Sequence, residues 1–194
     1  MSFRVLVIPE DTPHDQHVLL PILDAMFTYI GRPAQVRVCT DPRLRTVHEA
    51  LKWERIRQII DAYRGMYQCF LLIVDRDGEP GRRAALDRIE SLAAAHCGGR
   101  LFLAECAWQE VEVWCLAGHD LAEQNWQAIR AEPHAKEHFY EPFARAQGLL
   151  DHPSQGRRKL AEAAARRYDR IRARCPEDIR NLEDRLTICL VTRG

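Results

Sequence analysis

Residues 69–74 read Cys-Phe-Leu-Leu-Ile-Val and stop abruptly at Asp75-Arg76-Asp77-Gly78, and no other stretch constrains the fold as strongly. Six consecutive apolar residues with β-branched content suit a strand buried on both faces of a sheet. Residues 3–8 form a second run of this kind, ended by Pro9-Glu10-Asp11. Residues 35–40 alternate and read as a further strand, broken by Asp41-Pro42, and residues 101–104 make a fourth. Helical patterns separate them. Thr12 is placed as an N-cap, with Pro13 at the first helical position and Asp15 three residues after the cap. A long helix is expected from Leu44 to Tyr63, another over 81–95, and a short one over 108–116. Strands alternating with helices predict an α/β fold, a mostly parallel sheet flanked by helices with right-handed crossovers. Ligands of such sheets bind at the carboxyl ends of the strands.

The last third reads differently. Helices are expected over 138–150, 158–174 and 176–186, with a final short strand over 187–192. The 194 residues suit one domain, with a core over 1–125 and a mainly helical extension over 126–194. Apolar residues at 46% and charged residues at 29% exclude a disordered or fibrous chain. No secretory signal or bilayer-length apolar run is evident, and seven cysteines without a CxxC pair fit reduced thiols, so a cytoplasmic setting is expected, with no membrane partner. The 28 basic residues balance 28 acidic ones, yet residues 157–174 carry eight Arg or Lys against Glu162 and Asp169. That block suits phosphate, or equally a solvated helix face.

Glu10 and Asp11 follow the first strand; Asp75 and Asp77 follow the third. Residues two apart in extended backbone point the same way, so Asp75 and Asp77 are expected to converge, and a neighbouring parallel strand brings Glu10 to the same edge. Clustered carboxylates repel one another unless a cation is present, and hard oxygen ligands favour Mg²⁺ or Mn²⁺. The bland alternative is that these acids cap helices or face water. Arg76, between the two aspartates, is expected to point away from them and to pair with a neighbouring acid.

On Glu10, the Asp75-Arg76-Asp77 triplet and their order, the chain resembles the Toprim fold of topoisomerases, primases and small nucleases, distantly including the overcoming-lysogenisation-defect nucleases. More narrowly it is similar to a small uncharacterised bacterial Toprim-related family. In that family an acidic E-x-E-x-W segment follows the next strand, matched here by Glu110-Val111-Glu112-Val113-Trp114, and the Lys159-Leu160 helix start and Cys175-Pro176-Glu177-Asp178 tail also match. The resemblance implies a Toprim-like Rossmannoid sheet with a helical C-terminal extension. It also implies a metal site of Glu10, Asp75 and Asp77, joined by Glu110 or Glu112. Glu10 would then act as general acid/base or as an additional ligand. One departure is plain: Asp11 stands where the Toprim glutamate is typically followed by Gly.

The activity implied is Mg²⁺- or Mn²⁺-dependent phosphodiester hydrolysis, a nuclease acting on DNA or RNA. No G-x-x-x-x-G-K-[ST] motor motif is present, so a separately encoded ATPase partner is an expectation by analogy. Asp11 and His14 are accessory candidates; Arg82, Arg83, Lys136, Lys159, Arg166 and Arg170 are candidate phosphate contacts. The four tryptophans show no spacing with basic residues that would announce a base-stacking platform. Two other readings stay open: a noncatalytic nucleic-acid or protein interaction module that keeps the acids as a remnant, and a receiver-like phosphoacceptor domain.

Overall fold

Alternate residues of the strands face opposite layers, as the pleat requires. Val5, Val7, Leu71, Ile73 and Leu103 enter one core; Leu6, Ile8, Phe70, Leu72 and Phe102 enter the other. The computed structural model describes residues 2–121 and 125–192. Strands β1 (Phe3–Pro9), β2 (Ala34–Val38), β3 (Cys69–Asp75) and β4 (Leu101–Ala107) form one parallel sheet in the order β2-β1-β3-β4. The register sets Val7 beside both Val38 and Leu71.

Helix α1 (Thr12–Tyr29) covers the first face, and α2 (Val47–Ala50), α3 (Trp53–Tyr63) and α4 (Arg82–His96) cover the second. The chain therefore leaves β1 toward one layer and β3 toward the other. That divergence opens a crevice between their carboxyl ends, the place where open parallel sheets bind ligands. The later helices α5 (Glu112–Ala117), α6 (Trp126–Ala131), α7 (Glu141–Ala146), α8 (Arg157–Ala165), α9 (Tyr168–Arg174) and α10 (Asn181–Val191) share the first core with α1. Gly118, after α5, lets α8 come close: a Cβ there would lie 2.5 Å from the Cα of Ala164.

β4 is an edge strand, and its outward N–H groups are closed off by carboxylates. Ala104 donates to Glu90, Cys106 to the Glu105 side chain and Trp108 to Asp178. Arg83 and Arg185 each donate to the Ala104 carbonyl and to Glu105. An edge satisfied in this way offers little template for a foreign strand.

Four expectations are corrected. The helix expected from Leu44 begins only at Val47, where Thr46 accepts from the Glu49 N–H, and it breaks before Trp53. The helix over 158–174 is two helices, separated at Arg167 with φ −117° and ψ 43°. Arg166 caps the first of them, and Arg170 and Arg174 belong to the second. Residues 187–191 are helical rather than a strand: Leu182 and Leu186 bury one stripe of α10, and Thr187 donates to the Glu183 carbonyl one turn back. Tertiary burial of that stripe overrides the β-branched preference. Asp11, not Thr12, occupies the N-cap of α1; Asp15 reaches back to the Asp11 N–H while Thr12 donates to the Cys39 carbonyl.

Candidate metal centre

Glu10 follows β1 directly, and its Oε2 accepts the backbone N–H of Asp75 at 3.0 Å. Asp75 ends β3, and its Oδ1 accepts the Val111 N–H at 2.9 Å. Both hydrogen bonds tie the ends of β1, β3 and the segment after β4 into one floor. Beyond Asp75 the chain is not extended. Asp77 takes φ 52° and Gly78 φ 69°. The Arg76 and Asp77 N–H groups both donate to the Gln109 carbonyl, and Gly78 N–H donates to the Gln109 side chain. Gln109 is itself left-handed at φ 74° and buried. Two facing left-handed turns locked together are a strained arrangement of the kind that persists where surroundings over-determine it.

This turn, and not extended alternation, brings Asp77 back toward Asp75. One carboxylate oxygen each from Asp75, Asp77 and Glu110 lie within 4.8 Å of one another. Glu110 is oriented by its Oε2, which accepts the Lys136 N–H at 2.6 Å. Glu112 belongs to the same cleft but is differently engaged: Arg157 donates to its Oε1 from Nε at 2.8 Å and from Nη2 at 2.7 Å, both side chains being buried. A buried pair of this geometry holds its partner firmly, because removing either leaves an uncompensated charge at a cost of about 3–5 kcal/mol. Glu110, not Glu112, is therefore the acid that completes the triad of oxygens.

The cleft has a volume of about 560 Å³. Lys136, His152 and Arg157 line it together with the acids. Asp11 and His14 sit at the rim, joined at 2.8 Å and both exposed, a pair worth about 1 kcal/mol or less. The Asp11 backbone at φ −124° is open to any residue, so the fold makes no demand for glycine there. Lys159 approaches the rim only through His152, 3.5 Å away. Arg82 is buried against Asp77 at 3.4 Å, and its Nε finds no partner among the described residues.

Three phosphate candidates lie elsewhere. Arg83 is taken up by Asp87, Glu90 and Glu105 at the edge of β4. Arg170 and Arg167 pair with Asp120. Arg166 lies with Arg167 and His119 around a separate depression. Arg76, expected to pair with a neighbouring acid, pairs with none among the described residues: its guanidinium stacks on Trp108, 3.9 Å from the ring centre.

One residue of the floor escapes a reading of the sequence. Asp15 lines the cleft while buried in α1. A capping pattern accounts for it fully, and no signal within α1 shows that the helix start abuts Glu112. Burial is the largest cause of the raised pKa values in the cluster. It lifts Asp15 to about 8, with Glu112 adding repulsion, and Glu10 to about 7, with Asp77 adding repulsion. Glu110 rises to about 7 through burial and then Glu112, and Asp75 is raised well above the usual carboxylate range by burial, Asp15 and Glu112.

These shifts have a sign for stability. Acids whose pKa is raised by folding hold more protons folded than unfolded between about pH 4 and pH 8, so stability falls as pH rises through that window. In chelator, the melting temperature should be higher at pH 5 than at pH 8, and Asp15→Asn should flatten the slope. A melting temperature that rises across this interval would refute the buried-acid account. A divalent cation should reverse the trend, since it binds the deprotonated cluster.

The donor set suits such a cation: carboxylate oxygens only, mutually close, with Asp75 and Glu110 held by backbone hydrogen bonds. No family model, curated protein or solved structure matches the chain, so the cluster's chemistry stands on its own side chains.

Proposed function

We propose that this protein is a Toprim-like, Mg²⁺- or Mn²⁺-dependent phosphodiesterase, a nuclease, with Asp75, Asp77 and Glu110 as the ion's ligands. The observation that carries this reading is the convergence of those three carboxylates at a strand-end crevice that also holds cationic side chains. A purely anionic pocket would repel a phosphodiester; one that also carries the Lys136 ammonium can hold it. When bound, the divalent ion would neutralise phosphoryl charge and polarise a phosphoryl oxygen.

The chain's own groups divide the remaining work. Lys136, which lines the cleft, binds a non-bridging phosphate oxygen, while Arg157 holds Glu112 in place. Glu10 stands beside Asp75, fixed through one oxygen, and its other oxygen takes or returns a proton. Arg82 restrains Asp77 from behind. The Gln109 clasp holds the 76–78 turn, so ligand geometry is set before substrate arrives. Nothing here requires a membrane; among the described residues no helix is long and apolar enough to cross one. An ATPase partner belongs to the proposal only through the Toprim analogy.

The test is cleavage of labelled DNA and RNA by the purified chain with Mn²⁺, against the same reaction in chelator and in Asp75→Asn. Cleavage that survives in chelator or in that variant refutes the assignment. Lys136→Ala keeps the backbone N–H that holds Glu110, so it should raise KM about tenfold with kcat changed less than about twofold. A large fall in kcat instead would place Lys136 in the chemical step.

A further inference from the structure

Beyond the turn that carries Glu110 lies a second cleft, of about 520 Å³. Trp108 and Trp126, remote in sequence, both line it, together with Gln109, Arg130 and Arg174. The Trp108 ring contacts the guanidinium groups of Arg76, 3.9 Å away, and Arg130, 5.2 Å away. The Trp108 backbone N–H donates to the wholly buried Asp178, and the Trp126 Nε1 donates to the Arg174 carbonyl at 2.9 Å. Both indoles are half-buried, so each keeps part of its surface toward solvent.

The charge around the rings is unevenly neutralised. Arg130 is committed to Asp178 and Glu177. Arg174 lies over Trp126, 5.3 Å from the ring centre, and donates only to the carbonyls of Ala117 and His119 among the described residues. Arg76, stacked on Trp108, meets no carboxylate among the described residues. Two guanidinium groups with no carboxylate partner among the described residues therefore flank the two indoles, and Arg76 sits between Asp75 and Asp77 in sequence. A cationic peptide would be repelled by such a surface. A phosphate chain with accessible base faces complements it, because phosphates meet the guanidinium groups while bases stack on indole.

We infer that the Trp108–Trp126 cleft binds an unpaired nucleobase of a single-stranded nucleic acid, one or two nucleotides from the phosphate held at the metal centre. The inference deepens the hydrolytic reading and rests on it for the position of the scissile phosphate; the cleft's own binding chemistry does not. Trp108, Gln109 and Glu110 are consecutive, and Gln109 clasps the turn bearing Asp77, so the two clefts share one rigid wall. In a duplex the base faces are covered by their neighbours, which leaves nothing for Trp126 to stack on. The cleft thus selects single-stranded substrate or a frayed end.

The experiment measures binding of a fluorescein-labelled oligothymidylate and of a blunt duplex of equal length, in chelator, alongside Mn²⁺-dependent cleavage of the same oligonucleotides. The single strand should bind more tightly than the duplex. Trp126→Ala should weaken single-strand binding about tenfold, and Trp126→Phe, which keeps an aromatic face, should restore most of it. Unchanged affinity in Trp126→Ala overturns the cleft, and so does equal loss in Trp126→Phe or for the duplex. An occupant that is a peptide would also leave oligonucleotide affinity unchanged. Trp126-dependent binding without any metal-dependent cleavage would uphold the cleft and refute the hydrolase. Cleavage indifferent to Trp126 and to strandedness would uphold the hydrolase and overturn the cleft.

Discussion

Asp75→Asn should abolish Mn²⁺-dependent cleavage and, in the same protein without metal, raise stability. The two effects have one cause. Asp75 is half-buried, and Asp15, Glu112, Glu10 and Asp77 all disfavour its charge. Asparagine keeps the oxygen that accepts the Val111 N–H and leaves the Asp75 backbone bond to Glu10 untouched. It removes only the charge. Relief of that repulsion should raise the melting temperature of Asp75→Asn above that of the wild type at pH 8 in chelator. Loss of a ligand at the ion is expected to cost activity on the order of 10³-fold, or about 4 kcal/mol of barrier. Thermal melts provide the second half of the test. Mn²⁺ at about a hundred times its dissociation constant should stabilise the wild type by about 2.7 kcal/mol and Asp75→Asn far less. If the Asp75→Asn variant were instead less stable than the wild type in chelator, the carboxylate would be a structural acceptor and not a site held under strain.

Asp178→Ala should be the most damaging single change outside the cleft. Asp178 is fully buried and accepts from the Trp108 N–H at 2.7 Å, the Trp114 Nε1 at 2.6 Å and the Arg130 guanidinium at 3.2 Å. Truncation leaves two buried donors unmet and a buried cation with only the exposed Glu177 for company. The expected cost is about 3–5 kcal/mol, a fall in melting temperature on the order of 10 °C for a chain of this length. Calorimetry reads this directly. Because Trp108 leads into Gln109 and Glu110, the variant should also bind Mn²⁺ more weakly than the wild type at a temperature where both are folded. A loss of stability with unchanged Mn²⁺ affinity would show that Asp178 anchors the C-terminal segment without shaping the ligand turn.

The short, uninterrupted apolar runs made the parallel sheet legible, since strands buried on both faces have few other ways to satisfy themselves. The acids at their ends were legible for the same reason: a chain leaving a parallel sheet at its carboxyl edge exposes whatever follows the strand. Glu10 and Asp75 needed only that. The break at Arg167 and the start at Val47 followed by a break before Trp53 were not legible, because apolar spacing continues through them. Nor was the helical state of 187–191, where local β-branched preference loses to the buried Leu182–Leu186 stripe.

Sequence by itself determined the layer architecture and the two acidic strand ends, because both depend on hydrophobic period and on chain direction. Tertiary structure alone decided which acids come together. Glu110 joins Asp75 and Asp77 through the left-handed Gln109 clasp, Glu112 is claimed by Arg157 from 45 residues away, and Asp15 enters from a helix start. The same holds for Trp108 and Trp126, whose meeting depends on how the C-terminal helices close over the sheet. Positions of this kind are fixed by contacts between distant segments, and no local period in the chain encodes them.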